Sequence, residues 1–332
     1  MQEVRIGVLG CGIMGSDLLN NAVQLRGVKA AGLYDPIKAM REKLAAETGG
    51  YPITSEKAAC EDCDAVIIAP PCHLHAKLAT LAIKTGRHVF LEKPMALSVK
   101  DCDRLIKAAQ RADVHLMVGH VLRYVPVYRT VKSLVDAGRV GDVLSIRTVR
   151  SFYSWSDWTR PWRLKKRQCG GLIFESQIHE LDFMRHIAGD VRRVSAVASK
   201  SPGEEWDFHD SIFVNLEFHS GAVGNLFACL VDRVGFQGGE IIGTKGTIYF
   251  TCPDSIVLRT ASGKQSKIDP TKKKIESCVR REVREFVKAV RGEGPVTLPG
   301  EEGREAVAII EAAHASIASG QSVLPKRRRS RT

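Results

Sequence analysis

Val4-Arg5-Ile6-Gly7-Val8-Leu9-Gly10-Cys11-Gly12-Ile13-Met14-Gly15 is the stretch that decides the fold. Its first six residues are a short apolar run and read as a buried strand. The next six make a G-x-G-x-x-G turn that opens a helix. In such a turn Gly10 permits the tight bend, Gly12 lets the backbone approach a pyrophosphate, and Gly15 lets helix and strand pack closely. The free N–H groups of the first helical turn then face the phosphates. Glycine-rich turns also serve packing alone, so the surrounding sequence must separate the two readings.

Outward from this turn, residues 28–34 form a second apolar run that ends at Asp35, 20 positions beyond Gly15. A carboxylate there accepts hydrogen bonds from the adenosine ribose 2′-OH and repels a 2′-phosphate, which favours NAD over NADP. Asp35 is also placed to cap the helix begun at Pro36, and the two roles are compatible. Helical spacing recurs over 13–26, 36–48, 73–85 and from Ser98 to about residue 112, with strands over 65–69, 88–91 and 114–118. This alternation predicts an α/β Rossmann domain, a doubly wound parallel sheet whose ligand crevice lies beyond the carboxyl ends of the strands. Those ends are Gly10, Asp35, Pro70-Pro71-Cys72, Glu92-Lys93-Pro94 and Gly119-His120.

The pattern changes after about residue 123. A helix over 126–137 is followed by strand-like runs at 143–150, 191–198, 211–218, 222–230, 240–242, 247–251 and 256–259, and helices near 276–291 and 301–319 close the chain. His219-Ser220-Gly221 suits a hairpin turn. Strands in succession predict an α+β domain with a large, mostly antiparallel open sheet. The expected plan is a nucleotide-binding domain over 1–122, a substrate-binding and oligomerisation domain over 123–324 and a basic tail over 325–332.

Composition fits a globular protein, with 44% hydrophobic and 26% charged residues in 332. No apolar run approaches the roughly 20 residues that span a bilayer, and the chain enters a strand at once, so a cytoplasmic protein is expected. The nine cysteines are scattered and odd in number, and reduced thiols are expected. Cys60 and Cys63 form a C-x-x-C without a second pair at zinc-ribbon spacing, so no metal site is assigned. The net charge is +12, of which Lys326, Arg327, Arg328, Arg329 and Arg331 supply five. A tail of this kind is ordinarily solvated, and no nucleic-acid partner is expected from it.

Two stretches carry chemistry. His88-Val89-Phe90-Leu91-Glu92-Lys93-Pro94 sets a lysine just past a strand end, where partial burial suits it to proton transfer; a solvated charge is the plainer reading. Gly170-Gly171-Leu172-Ile173-Phe174-Glu175-Ser176-Gln177-Ile178-His179-Glu180-Leu181-Asp182, if helical from Leu172, stacks Glu175, His179 and Asp182 at i, i+4 and i+7. A carboxylate can then orient the imidazole, as an acid/base pair requires; a surface ion pair is the alternative. Residues 155–167 hold three of the four tryptophans and five cations, which suit sugar C–H faces and a carboxylate or phosphate, or else a solvated basic loop.

Taken in order, G-C-G-I-M-G at 10–15, A-P-P-C-H-L-H at 69–75, G-R-H-V-F-L-E-K-P at 86–94, L-R-Y-V-P at 122–126, W-R at 162–163 and G-G-L-I-F-E-S-Q-I-H-E-L-D at 170–182 resemble the glucose–fructose oxidoreductase and inositol dehydrogenase family (Gfo/Idh/MocA) over nearly the whole chain. The resemblance implies an NAD-dependent enzyme that oxidises a secondary alcohol of a sugar or polyol. It implies Lys93, His179 and Glu175 as the acid/base set. It implies a cofactor site of Gly10, Cys11, Gly12, Ile13, Met14, Gly15, Asp35, Pro70, Pro71, His75, Glu92 and Lys93. Arg123, Tyr124, Trp162 and Arg163 are the pocket-lining candidates, and a homodimer or homotetramer is the implied assembly. The chain departs from the family pattern in having Glu175 for aspartate, Gln177 for glycine and Cys72 for asparagine. Two alternatives remain open: an enzyme that recycles tightly held NAD within one turnover, and a non-catalytic sugar and dinucleotide sensor.

Overall fold

The computed structural model describes residues 2–153, 160–272 and 276–327. The chain divides into two compact units, Met1–Val121 with Glu276–Arg304, and Leu122–Ile275 with Glu305–Thr332. The expected boundary lies between 122 and 123, and the chain first crosses between Val121 and Leu122. Segment 276–304, expected in the second domain, instead rejoins the first.

In the first unit β1 (Val4–Leu9), α1 (Ile13–Ala22), β2 (Val28–Tyr34), α2 (Lys38–Thr48), β3 (Tyr51–Ile53), α3 (Glu56–Glu61), β4 (Ala65–Ile68), α4 (His75–Lys84), β5 (His88–Glu92), α5 (Val99–Ala112) and β6 (Leu116–Gly119) alternate along the chain. The sheet order is β3-β2-β1-β4-β5-β6, and every pairing is parallel. This is the doubly wound arrangement that the alternation predicts. β4 is buried at every residue, as a strand covered by helices on both faces must be. Local chemistry sets the helix ends. The Ser98 hydroxyl accepts the Asp101 N–H at 3.1 Å to start α5, and Gly49, at φ 75°, ends α2 in the left-handed conformation.

β3 and α3 escape the sequence reading, and α1 ends four residues earlier than its spacing suggests. The returning segment explains itself by packing. Helix α9 (Cys278–Val290) lies against α1, and Phe286 meets Phe90 of β5 edge to face at 5.6 Å. Farther on, the Leu298 carbonyl accepts the Val118 N–H of β6 at 2.9 Å. Two fully buried aromatic rings contribute several kcal/mol between them, at about 1.5–3 kcal/mol each.

The second unit contains α6 (Pro126–Asp136), β7 (Val143–Tyr153), α7 (Lys166–Cys169), α8 (Ile178–Ala188), β8 (Val191–Ser199), β9 (Ser211–Phe218), β10 (Val223–Cys229), β11 (Val231–Gly243), β12 (Gly246–Thr251), β13 (Ser255–Thr260) and β14 (Gln265–Ile268). Helix α10 (Gly300–Ser319) begins in the first unit and continues into the second. The eight strands run in the order β14-β13-β12-β11-β7-β10-β9-β8, antiparallel throughout except for β7 and β10. The hairpin at His219-Ser220-Gly221 joins β9 to β10 as expected. One face of the sheet meets α6 and α8, where Tyr128, Phe183 and Phe250 pack edge to face at 4.7–5.8 Å. Residues of the opposite parity leave Val197, Phe213, Val223 and Tyr249 45–66% exposed. Among the described residues, no helix is long and apolar enough to cross a membrane.

Candidate active site

The first unit supplies a nucleotide cradle. Gly10 adopts φ 98°, and a Cβ there would lie 2.6 Å from the Pro70 nitrogen, so only glycine closes this turn. A Cβ on Gly15 would lie 1.9 Å from the Gly10 carbonyl oxygen, which accounts for the last glycine of the motif. Gly12 is the N-cap of α1; it brings no side-chain cap, and no acidic residue occupies the first turn. The N–H groups of that turn therefore meet no capping carboxylate, and the end of the helix suits a phosphate. Cys11 is buried: its N–H donates to Asp35 Oδ2 at 2.9 Å, and burial, then the Asp35 charge, push its thiol up to about 12. Asp35 is 9% exposed, and its other oxygen accepts the Ile37 N–H at 2.9 Å. Its carboxylate thus joins the glycine turn to the start of α2. Ile13 and Ile37, 50% and 61% exposed, place apolar surface on the same turns, and Met14 is half-buried. These residues fit a dinucleotide: a helix end for the pyrophosphate, a carboxylate for the ribose and exposed aliphatic groups for the bases.

The turns after β4 and β5 are tied together by His75. Its Nε2 lies 2.9 Å from the Pro70 carbonyl oxygen and its Nδ1 lies 2.7 Å from that of Pro94, with the ring 1% exposed. Pro70 and Pro71 are half-buried beside it, and Cys72, which begins a short 3₁₀ turn, is buried. Glu92 is 5% exposed at the end of β5, and its Oε2 accepts the Lys93 N–H at 3.1 Å. Lys93 is half-buried and precedes Pro94 through a cis peptide bond.

The second unit holds the histidine. Gly170 and Gly171 enter the segment at φ 82° and 84°, and a Cβ on Gly170 would lie 2.5 Å from that of Phe174. Residues Ile173–Gln177 then form a π-helical turn that runs directly into α8. This corrects the expected uninterrupted α-helix, because a wider turn breaks the i, i+4 register assumed between Glu175 and His179. His179 is 7% exposed. The same segment carries three carboxylates, each engaged by an arginine from a different element. Glu175 accepts Arg163 Nε at 2.9 Å, from a 3₁₀ turn at Pro161–Leu164. Asp182 accepts both Nε and Nη2 of Arg123, at 2.8 and 2.6 Å, from the turn Val121–Tyr124. Glu180 accepts Arg150 Nη1 of β7 at 3.3 Å, and the Tyr128 hydroxyl and the Gln237 amide also donate to it. Burial pushes the Glu180 carboxyl up, opposed by Arg150.

Among the residues expected to line a pocket, Tyr124 and Trp162 are half-buried, and Arg163 lies over the Trp162 ring at 4.9 Å. Trp155 and Trp158 fall outside the described residues. Sequence reasoning missed Arg150, Tyr128 and Gln237. A signal did exist, since Arg150 shares the inward parity of Ile146 and Thr148 on β7, a place for a charge only if it is paired. Arg41 was also missed; its Nη1 donates to the Asp35 carbonyl at 2.7 Å. The C-x-x-C has no open chemistry: burial pushes the Cys60 and Cys63 thiols up to about 12 and about 11, and the Cys63 thiol donates to the Cys60 and Ala59 carbonyls.

Comparison with known proteins agrees with this architecture. The chain is 32% identical over 256 residues to 2,7-anhydro-N-acetylneuraminate hydratase of Escherichia coli, covering 74% of this chain and 67% of that one. It is 28% identical over 337 residues to myo-inositol 2-dehydrogenase of Thermotoga maritima, covering 96% and 98%. A solved structure of levoglucosan dehydrogenase with NADH and levoglucosan shares the fold, with a TM-score of 0.87 at 24% identity over 98% of this chain and 100% of that one. Residues 4–120 match the model of the oxidoreductase family with an NAD-binding Rossmann fold, and residues 128–249 match the GFO/IDH/MocA C-terminal domain. With its glycine turn, its strand-end carboxylate and both matches in sequence order, the chain belongs to the GFO/IDH/MocA family of NAD-binding oxidoreductases.

Proposed function

We propose that the enzyme reversibly oxidises a secondary alcohol of a sugar, an inositol-like polyol or a sugar derivative. The reading rests most on His179, a nearly buried imidazole on a helix whose neighbouring carboxylates are all engaged by arginines. Bound NAD supplies the hydride acceptor. Gly10 to Gly15, Asp35, Pro70, Pro71, His75 and Glu92 hold it or shape its site. His179 takes the proton of the substrate hydroxyl, Lys93 hydrogen-bonds the same oxygen and shares the proton, and Glu175, fixed by Arg163, is the third member of the acid–base set that the family resemblance implies. Acid–base help of this kind contributes about a hundred- to ten-thousandfold. Tyr124 and Trp162 line the pocket. Arg123 and Arg163, held by Asp182 and Glu175, line the same pocket. Copies of the chain associate through the exposed face of the eight-stranded sheet.

The test is an NADH-formation screen over inositols, aldoses, uronates and glycosides, with Lys93→Ala alongside. Turnover should fall by about a hundredfold or more in that variant while NAD affinity stays within a few fold. Wild-type rates in the variant would remove the mechanism. A second reading is supported by the E. coli relative, whose name describes a hydration. In that case NAD is recycled in place, and the purified protein carries close to one cofactor per chain and forms no free NADH.

A further inference from the structure

The outer face of the eight-stranded sheet is not uniform. Where β7, β10, β9 and β8 lie side by side, the row Val149, Phe227, Phe213 and Val197 is apolar, whereas the next row, Arg147, Asn225, Asn215 and Ser195, is polar throughout. The row beyond carries Ser145, Val223, Glu217 and Arg193. These last two rows enclose an open groove of about 460 Å³ with Ser322 at its outer end, a volume within the range of small-molecule pockets. Glu217 accepts Arg192 at 2.6 Å and lies 3.5 Å from Arg193 Nε, and Arg193 also donates to the Ser322 hydroxyl at 3.2 Å. Those charges are committed to one another. Arg147 is exposed, and among the described residues its guanidinium pairs with no carboxylate, although Glu240 is its register partner on β11. A planar fork of five donors therefore lines the groove uncommitted. The Asn225 amide donates to Asn215 Oδ1 at 2.7 Å, which fixes both side chains and leaves the Asn215 amino group and the Asn225 carbonyl oxygen for a ligand. Among the described residues no aromatic ring lines the groove, so it lacks the stacking surface that suits a neutral sugar.

We propose that this groove is a second ligand site, for a small hydroxylated anion of the sugar-acid or sugar-phosphate class. Arg147 takes the carboxylate or phosphate through its fork. The asparagine pair takes neighbouring hydroxyls, Asn215 as donor and Asn225 as acceptor. The adjoining apolar row is the part of the face suited to a second copy, because interface cores are depleted of charge. The groove is also separate from the catalytic assignment. Residues of the opposite parity on the same strands pack inward, and a Cβ on Gly224 would lie 2.8 Å from Met184 of α8, so the sheet itself stands between the groove and the histidine helix.

The test is calorimetric titration of the purified protein, saturated with NADH, with D-gluconate and with D-sorbitol 6-phosphate, neither of which NADH can reduce. Sorbitol and inorganic phosphate are the controls. Arg147→Ala should weaken the tighter anion at least tenfold, and Arg147→Lys should recover part of that loss. Asn225→Ala should weaken both anions several fold. Whichever anion loses more in Arg147→Ala identifies the head group. Sorbitol should show no binding that depends on Arg147, and inorganic phosphate should bind at least tenfold more weakly than sorbitol 6-phosphate. NADH affinity should be the same in every variant, which shows that each is folded. The proposal is overturned if neither anion binds, or if both bind Arg147→Ala and Asn225→Ala as well as wild type, which would put them in the catalytic pocket. Inorganic phosphate as tight as sorbitol 6-phosphate would overturn it too, leaving an adventitious ion only. So would sedimentation in which Arg147→Ala separates copies while no anion binds, since the groove would then be filled by a second copy.

Discussion

Arg123→Ala is the perturbation whose cost can be worked from the structure most directly. Arg123 grips Asp182 through two parallel bonds of 2.8 and 2.6 Å, with side chains 11% and 1% exposed. Truncation leaves the carboxylate buried without its guanidinium, a loss of about 3–5 kcal/mol. At about 2–4 °C per kcal/mol for a domain of this size, the melting temperature should fall by roughly 6–20 °C. Asp182→Asn keeps an acceptor and removes the charge, so it should cost less, about 1–3 kcal/mol. The pair Arg123→Met with Asp182→Leu removes both charges and should recover most of the stability. Calorimetry of the four proteins ranks the three losses, and the transition of the second unit must be followed by itself because two units need not melt as one. A loss under about 1 kcal/mol in Arg123→Ala, or a double variant no better than the worse single, would refute the reasoning.

Other expectations follow the same logic. His75→Leu removes the ring that bridges the Pro70 and Pro94 carbonyls, one of which accepts its single N–H in the neutral form, at about 1–3 kcal/mol, and should weaken NADH binding several fold by loosening both strand-end turns; calorimetric titration with unchanged affinity would rule the clamp out. Burial, then Lys166 and His209, push the His314 imidazole down to about 4. The unfolded chain therefore binds the extra proton between pH 6.5 and 4, so wild type is fully stable above 6.5 and loses up to about 3 kcal/mol as pH falls toward 4; His314→Phe should flatten urea midpoints across that window. Phe213, stacked on Phe227 at 4.6 Å and 45% exposed, lies on the proposed association face; Phe213→Glu should shift sedimentation toward monomer, and an unchanged oligomer would exclude that face.

The parallel sheet was legible because its strands are short apolar runs punctuated by glycine, and burial on both faces writes itself into composition. β3 was not legible: it is three residues with a proline, exposed at Tyr51 and Pro52, on the sheet edge where neither alternation nor a continuous apolar run is required. β11 was read only at 240–242, since Gly235, Gly238 and Gly239 resemble a loop. In the structure these glycines let the strand pass close to its neighbours, and a Cβ on Gly239 would lie 2.2 Å from the Arg147 carbonyl. The return of α9 to the first unit has no local signature, because the amphipathic pattern says that a face is buried and not against what. At the site, residue identities were readable and geometry was not. An apolar pattern is the same for an α turn and a π turn, so the register of Glu175 against His179 had to come from coordinates.

The three arginine pairs raise a last question, because stability does not account for them. A buried ion pair roughly breaks even against a hydrophobic pair of the same volume, once desolvation is set against attraction. Ion pairs do fix position, and here the arms reach α8 and its entry turn from the turn before α6, from β7 and from the turn at Pro161–Leu164. Three directional contacts around a helix fix its rotation as well as its depth, whereas apolar packing alone tolerates sliding. Proton transfer requires His179 within hydrogen-bond reach of the substrate oxygen, so rotation of the helix is what chemistry would feel first. Replacing Arg150 by Met and Glu180 by Gln, which keeps an acceptor for the Tyr128 hydroxyl and the Gln237 amide, should therefore leave the melting temperature within a few degrees and lower kcat by tenfold or more, with KM little changed. A double variant with wild-type kcat would show that the ion pairs do not position the histidine.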